Sequence, residues 1–200
     1  MIFLCTQRLD YYENIQEYRE SIDTKLSSFF LKMNIKLVFI SMQNSKGDLS
    51  IILKEINPQG IILSGGNDIK KVRKRDILER RLIDYGVKKK IPVIGICRGM
   101  QMIAHYFGAK LRPTYNHTRT RHFVKSLGFS SNPSNKFIVN SYHQYGLLDC
   151  PKNFQILLKA EDSSIEAIKH NKLPILGIMW HPERFKIFRE IDIKIIKSII

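Results

Sequence analysis

Val93-Ile94-Gly95-Ile96-Cys97-Arg98-Gly99-Met100-Gln101 is the stretch on which the reading of this chain turns. The run from Pro92 to Cys97 is apolar without alternation, which predicts a strand covered on both faces. It ends at a cysteine with a glycine two residues to either side, and Met100, Ile103, Ala104 and Phe107 then recur at helical spacing. Glycine-x-nucleophile-x-glycine between a strand and a helix is the geometry of a nucleophile elbow, here carrying sulfur. The turn is so tight that a Cβ at either glycine would strike neighbouring backbone. Cys97 then sits at a helix N-terminus, where the macrodipole favours thiolate over thiol and backbone N–H groups can receive an oxyanion. The same residues also suit a buried cysteine that only turns a strand into a helix, so the reading depends on partners elsewhere in the chain.

Six histidines are available, and Ile178-Met179-Trp180-His181-Pro182-Glu183 supplies the one in the strongest context. His181 ends an apolar strand predicted over Ile175–Trp180, and Pro182 blocks helical continuation on its N-terminal side. Glu183, two residues on, shares a face with His181 if the segment is extended, and a carboxylate there can orient the imidazole. Cys97, His181 and Glu183 are therefore the candidate catalytic residues. A third apolar strand, Gly60–Ser64, runs into Gly65-Gly66-Asn67-Asp68. In an open parallel sheet both loops fall at the carboxyl ends of strands, on one rim. The Gly66 and Arg98 N–H groups together would make a two-donor oxyanion hole.

The remaining pattern alternates short apolar runs with amphipathic ones, which predicts an α/β domain with an open, mostly parallel central sheet and helices on both faces. Strands are expected over Ile2–Thr6, Lys36–Ser41, Phe123–Phe129, Phe137–Ser141, Phe154–Ala160 and Ile165–Lys169. Helices are expected over Glu13–Leu31, Lys70–Lys89 and Arg184–Ile200, the second burying Val72, Ile77, Leu78 and Leu82. No repeat, low-complexity segment or linker divides residues 1–200, so one domain is expected. No apolar run approaches the roughly 18 residues of a membrane span, and the start of the chain lacks a basic n-region, which points to the cytoplasm.

Cys5, Cys97 and Cys150 are too few and too scattered for a disulfide framework. CxxC and HExxH spacings are absent, so no metal and no cofactor are expected. The net charge of +15, from 33 Lys plus Arg against 18 Asp plus Glu, suits anionic ligands. The cations are scattered, as in Lys88-Lys89-Lys90, so a solvated surface or a phosphate-bearing small substrate fits better than nucleic acid.

These segments, in this order, resemble the class I glutamine amidotransferase-like superfamily, whose flavodoxin-like fold the resemblance implies. Its G-x-C-x-G-x-Q elbow is matched from Gly95 to Gln101 and its His-Pro-Glu ending at His181–Glu183. Within it the chain is similar to the stand-alone γ-glutamyl hydrolases, through Thr6-Gln7-Arg8, Leu63-Ser64-Gly65-Gly66-Asn67-Asp68 and Val139-Asn140-Ser141-Tyr142-His143-Gln144. That branch often has two adjacent histidines after Asn-Ser-x, whereas here Gln144 follows His143. The resemblance implies that Gln101 and the Ser141, Tyr142, His143 segment hold the α-amino and α-carboxylate groups of a γ-glutamyl moiety. Its narrower form implies a nucleotide-linked substrate, γ-glutamyl-CDP-amidate, of capsule phosphoramidate biosynthesis, cleaved through a thioester. Arg8, Arg98, Arg119 and Arg121 are then the candidate phosphate contacts, while His117 and His122 have no role beyond a place on the rim. Alternatives are a glutaminase subunit that feeds ammonia to a synthase, a hydrolase of γ-glutamyl polyamine or amine conjugates, and a degenerate basic nucleic-acid-binding protein.

Overall fold

The computed structural model describes residues 1–47, 49–127 and 136–200. The N-terminal part comprises β1 (Ile2–Thr6), β2 (Arg8–Tyr12), β3 (Glu17–Ser21), α1 (Thr24–Leu31), β4 (Lys36–Ile40), α2 (Leu49–Ile56) and β5 (Gly60–Leu63). The middle holds α3 (Arg73–Lys89), β6 (Val93–Ile96), α4 (Arg98–Tyr106), β7 (Leu111–Pro113), β8 (Thr118–Ser126), β9 (Lys136–Tyr142) and β10 (Tyr145–Leu147). β11 (Phe154–Ala160), β12 (Ile165–His170), β13 (Ile175–Ile178) and α5 (Glu190–Lys197) complete the chain.

A nine-stranded sheet runs in the order β4-β1-β5-β6-β13-β12-β11-β8-β9. From β4 to β13 the strands are parallel, and from β13 to β9 they are antiparallel. β5, β6 and β13 are buried at every position, as strands covered on both faces must be. Alternate residues serve opposite cores: Ile61, Leu63 and Val93 pack with α2, α3 and α4, while Ile62, Ile94 and Ile96 pack with α1 and α5. This is the predicted α/β architecture, with an antiparallel extension added to its parallel centre.

Several predicted elements are corrected. Residues 13–31 are not one helix: β2 and β3 form a hairpin, and only Thr24–Leu31 is helical. Ile15 and Tyr18, read as a buried stripe, are 49% and 70% exposed. Gln16 takes φ 53 at the turn, and Tyr18 instead meets Tyr11 across the strands with ring centroids 4.7 Å apart. The helix proper starts where the Asp23 side chain accepts from the Lys25 N–H. At the other end, the helix expected over Arg184–Ile200 is helical only over Glu190–Lys197; Arg184 ends a 3₁₀ turn that starts at Pro182, and residues 185–189 are irregular. The strand expected to reach Phe129 is β8, which ends at Ser126; residues 128 and 129 lie outside the described residues. Val72, just ahead of α3, and Ile77 within it are half-buried, while Arg75 and Glu79 are buried with Leu78 and Leu82.

Candidate active site

Cys97 stands between β6 and α4 at φ 52, ψ −107, a strained conformation for a residue with a Cβ. The strain is held from both sides. The Cys97 N–H donates to the Ile178 carbonyl on β13 at 2.7 Å. A methyl group on Gly95 would lie 2.6 Å from the Met100 nitrogen, and one on Gly99 would run into the Leu63 carbonyl. Both glycines are therefore required by close approach, as the elbow reading demands.

β13, parallel to β6, delivers His181 beside the elbow. Trp180 anchors the segment from within the core, its indole N–H donating to Asp192 at 3.0 Å. The 3₁₀ turn, rather than an extended strand, brings Glu183 back so that its Oε1 lies 2.7 Å from His181 Nδ1. That leaves Nε2 free of Glu183, and Cys97 lies close enough for its charge to act on the ring. Burial alone would pull the imidazole down; the Cys97 and Glu183 charges outweigh it and raise His181 to about 9. His181 is gripped through its backbone as well. Asn140 accepts from its N–H at 2.9 Å and donates to its carbonyl at 2.8 Å, and the Tyr142 ring meets the imidazole edge-on at 5.6 Å.

The Gly65–Gly66 loop is shaped by one buried side chain. The Arg75 guanidinium, 0% exposed, donates to the carbonyls of Ser64 at 2.6 Å, Gly65 at 3.1 Å and Gly66 at 2.8 Å. With these carbonyls drawn toward α3, the loop can turn N–H groups the opposite way; Gly66 has φ +84 and lies under the Arg8 side chain. Glu79 closes the cluster, accepting from Arg75 at 2.9 Å, from Thr6 at 2.8 Å and from Arg98. Burial pushes the Glu79 carboxyl up, and Arg98 and Arg75 together bring it below the ordinary range. Neither Arg75 nor Glu79 was singled out from the sequence, because charges on a helix read as its solvent face. Asn140 had a signal, its place in the Val139–Gln144 stretch, without an assigned role.

Other sequence candidates are distributed unevenly. Arg8, Ser64, Gly65, His181, Glu183 and Arg184 bound a cavity of about 180 Å³. Gln101 is buried, donates to the Tyr145 carbonyl at 2.7 Å, and lines a second hollow of about 580 Å³ that also carries Lys70, Lys71 and Lys110. Three expectations are corrected. The Arg98 side chain is spent on Glu79 and Asp76, so only its backbone can serve a substrate. Ser141 is fully buried and donates to the His117 carbonyl at 2.6 Å. His143 is buried against His117, with Nε2 3.2 Å from His117 Nδ1. Tyr142 alone of those three is open to solvent; Arg119 and Arg121 are exposed on β8.

The profile of the family described as glutamine amidotransferase class-I matches residues 10–196. The chain belongs to that family. A γ-glutamyl-CDP-amidate hydrolase of Campylobacter jejuni subsp. jejuni serotype O:2 is 35% identical over 190 residues, 92% of this chain and 90% of that protein. A glutamine-hydrolyzing GMP synthase subunit of Pyrococcus abyssi is 34% identical over 135 residues, 66% of this chain and 69% of that protein. The crystal structure of a glutamine amidotransferase from Thermotoga maritima superposes with TM-score 0.66 at 21% identity, covering 91% of this chain and 76% of that one. One from Methylobacillus flagellatus gives TM-score 0.69 at 15% identity over 92% and 70% of the two chains. The two structures show the flavodoxin-like α/β fold. As a class I glutamine amidotransferase relative, the chain is an amide-cleaving enzyme of the cysteine-dependent type and acts on a small molecule. Among the described residues, no helix is long and apolar enough to cross a membrane.

Proposed function

We propose that Cys97, His181 and Glu183 are the triad of a γ-glutamyl hydrolase that releases glutamate from γ-glutamyl-CDP-amidate in capsule phosphoramidate biosynthesis. In this reading residues 1–200 act as one cytoplasmic hydrolase domain. The observation that carries the chemistry is His181, held 2.7 Å from Glu183 beside the strained Cys97 elbow, whose charge raises it. The substrate rests on the likeness to the Campylobacter hydrolase along nearly the whole chain.

The Cys97 thiolate attacks the γ-carbonyl carbon, and the carbonyl electron pair moves to oxygen, where the N–H groups of Gly66 and Arg98 receive it. The intermediate collapses with cleavage of the carbon–nitrogen bond, and His181 gives its proton to the departing nitrogen. A glutamyl thioester remains. Water then loses a proton to His181 and attacks the thioester carbon. The carbon–sulfur bond breaks, glutamate leaves and the thiolate returns. No step needs a cofactor. Because His181 must protonate the leaving nitrogen, the nucleotide side belongs where Arg8, Arg184 and Tyr142 surround the imidazole. The γ-glutamyl head belongs toward Gln101.

Glutamate release from γ-glutamyl-CDP-amidate, from other γ-glutamyl amides and from free glutamine tests the reading, with Cys97→Ala in parallel. Preferred turnover of the nucleotide substrate is expected, with the variant down on the order of 10⁶-fold in kcat. A variant that keeps hydrolysing sinks the triad; equal turnover of simple amides sinks the nucleotide. The GMP synthase relatives favour one second reading, a glutaminase feeding a synthase. Free glutamine as the best substrate, with stimulation by a partner, would select it.

A further inference from the structure

Four side chains that the chemistry above leaves unused converge behind β9. His117 precedes β8, His122 lies within it, His143 follows β9 and Glu166 stands on β12. Glu166 is 0% exposed, and neither of its carboxylate oxygens has a hydrogen-bond partner. Oε1 instead stands 3.6 Å from His117 Nδ1, 3.5 Å from His122 Nε2 and 3.6 Å from His143 Nε2. Those spacings are too long for charge-assisted hydrogen bonds, which run at about 2.7–2.9 Å. They match two ligand atoms that share a tetrahedral ion, which stand about 3.4 Å apart when each is about 2.0–2.1 Å from the metal.

The outer contacts fix which ring atoms face inward. His117 Nε2 lies 2.8 Å from Asp162 Oδ2, a carboxylate that can only accept, so Nε2 carries a proton and the neutral ring presents its lone pair at Nδ1. His143 Nδ1 lies 3.1 Å from the Tyr145 carbonyl, which places its proton there and leaves Nε2 as the inward lone pair. With both rings neutral, these two nitrogens, 3.2 Å apart, present lone pairs to each other and to the buried carboxylate, and a shared cation would satisfy all three. The surroundings are those of a ligand shell: Asp162 is itself held by the Ser164 N–H at 2.9 Å and hydroxyl at 3.0 Å.

We propose that His117, His122 and Glu166, whose ligand atoms lie within 4.8 Å of one another, bind a divalent zinc-type ion as a structural centre, with His143 beside it against His117 and Glu166. Imidazoles and a carboxylate are a donor set for zinc, and the burial of His117 and Glu166 suits a structural site rather than an open catalytic one. The expectation of no metal arose because these ligands, from residue 117 to residue 166, form no local motif. The centre ties β8, the end of β9 and β12 together behind the wall that carries His181. The Glu166 carbonyl accepts from the Met179 N–H at 2.8 Å, two residues before His181, and the Ser141 hydroxyl holds the His117 carbonyl. The proposal stands apart from the substrate, since metal content and affinity are read without turnover.

The test is metal content by mass spectrometry of the purified full chain, with Zn²⁺ and Co²⁺ reloading after chelation. About one zinc per chain is expected, together with visible d–d bands of tetrahedral Co²⁺ and a thermal midpoint raised by Zn²⁺. His122→Ala, at the least buried of the four, should fold, as circular dichroism will check, and lose stoichiometric zinc. Asp162→Asn should weaken zinc binding about 10- to 100-fold. Two outcomes overturn the proposal. One is a wild-type chain with no bound metal and no midpoint shift on adding Zn²⁺. The other is zinc retained equally by wild type and both variants, which would put the ion elsewhere.

Discussion

Two buried charge clusters back the candidate site, one in each half of the sheet. In the parallel half, Arg75, Glu79 and Arg98 lie beneath the elbow and the glycine loop, and both Glu79 oxygens are hydrogen-bonded. In the antiparallel half, Glu166 is as deeply buried but faces three histidines at 3.5–3.6 Å without a hydrogen bond. Arginine brings a permanent charge and its own donors, so the first cluster closes with protein atoms alone. Histidine brings lone pairs as readily as protons, so the second has room for an added cation. A buried acid is thus sustained in two ways within one small enzyme.

The largest effect expected from breaking this contrast is on stability. Arg75→Met strips Glu79 of one partner and releases three loop carbonyls, and breaking a buried pair on one side costs about 3–5 kcal/mol. Urea unfolding should show it as a lower midpoint with little change in slope. In chelated protein Glu166→Gln should cost far less, because it removes a charge that had no hydrogen bond to lose. Similar costs for the two variants would erase the distinction between the clusters.

Next in size is a pH effect that isolates His181 from both clusters. Its folded value, raised to about 9, exceeds the ordinary histidine value. The stability it contributes is therefore complete below about pH 6.5 and is lost as pH rises toward 9, a term of order 3 kcal/mol. Cys97→Ala removes the larger of the charges that raise it, so the variant's unfolding midpoint should change less between pH 6.5 and 9 than the wild type's. Groups in the two clusters contribute equally to both proteins and cancel. Parallel pH profiles would mean that no thiolate–imidazolium pair exists.

What the sequence shows and hides follows the same division. The elbow was legible because its residues are local: Gly95, Cys97 and Gly99 lie within five residues, although the backbone that demands Gly99 is Leu63 on β5. His181 and Glu183 were legible for the same reason, although a turn rather than a strand joins them. The clusters were not, since their members are brought together only by the fold. Arg75 and Glu79 lie four apart on a helix whose charges look solvated, and Glu166 and its three histidines come from three strands and their ends. The hairpin over residues 8–21 was hidden differently. Ile15, Tyr18 and Ile22 mimic a helical stripe, whereas the fixing contacts are remote, with the Asn67 side chain bonded to both backbone groups of Leu9 at 2.8 and 2.9 Å.

A smaller, kinetic effect tests whether the antiparallel half reaches the chemistry at all. Asn140→Ala frees the backbone of His181 without touching its ring, and misplacing a catalytic group by about 1 Å can cost about 10²-fold. The loss should fall on kcat, with KM little changed, and the alkaline limb of the rate profile should shift as His181 loosens from Cys97. A KM effect alone would mean that Asn140 serves the substrate rather than the histidine.

The smallest effect belongs to the outer edge of that same half. Arg121 pairs in register with Asn140 and Thr118 with Tyr142, so the bulged Arg119, at φ 56, and Arg121 flank the two residues that hold His181. Both arginines are exposed, and an exposed charge contact is worth about 0.2–1 kcal/mol. Arg119→Ala or Arg121→Ala should therefore raise KM for a nucleotide substrate only about 1.4- to 5-fold at low salt, with kcat unchanged. The difference should fade as salt screens the phosphates, and free glutamine should show none of it. An equal rise for glutamine would mean that the arginines shape the fold rather than meet an anion. No rise for either substrate would confine the nucleotide to Arg8 and Arg184, within the cavity around His181.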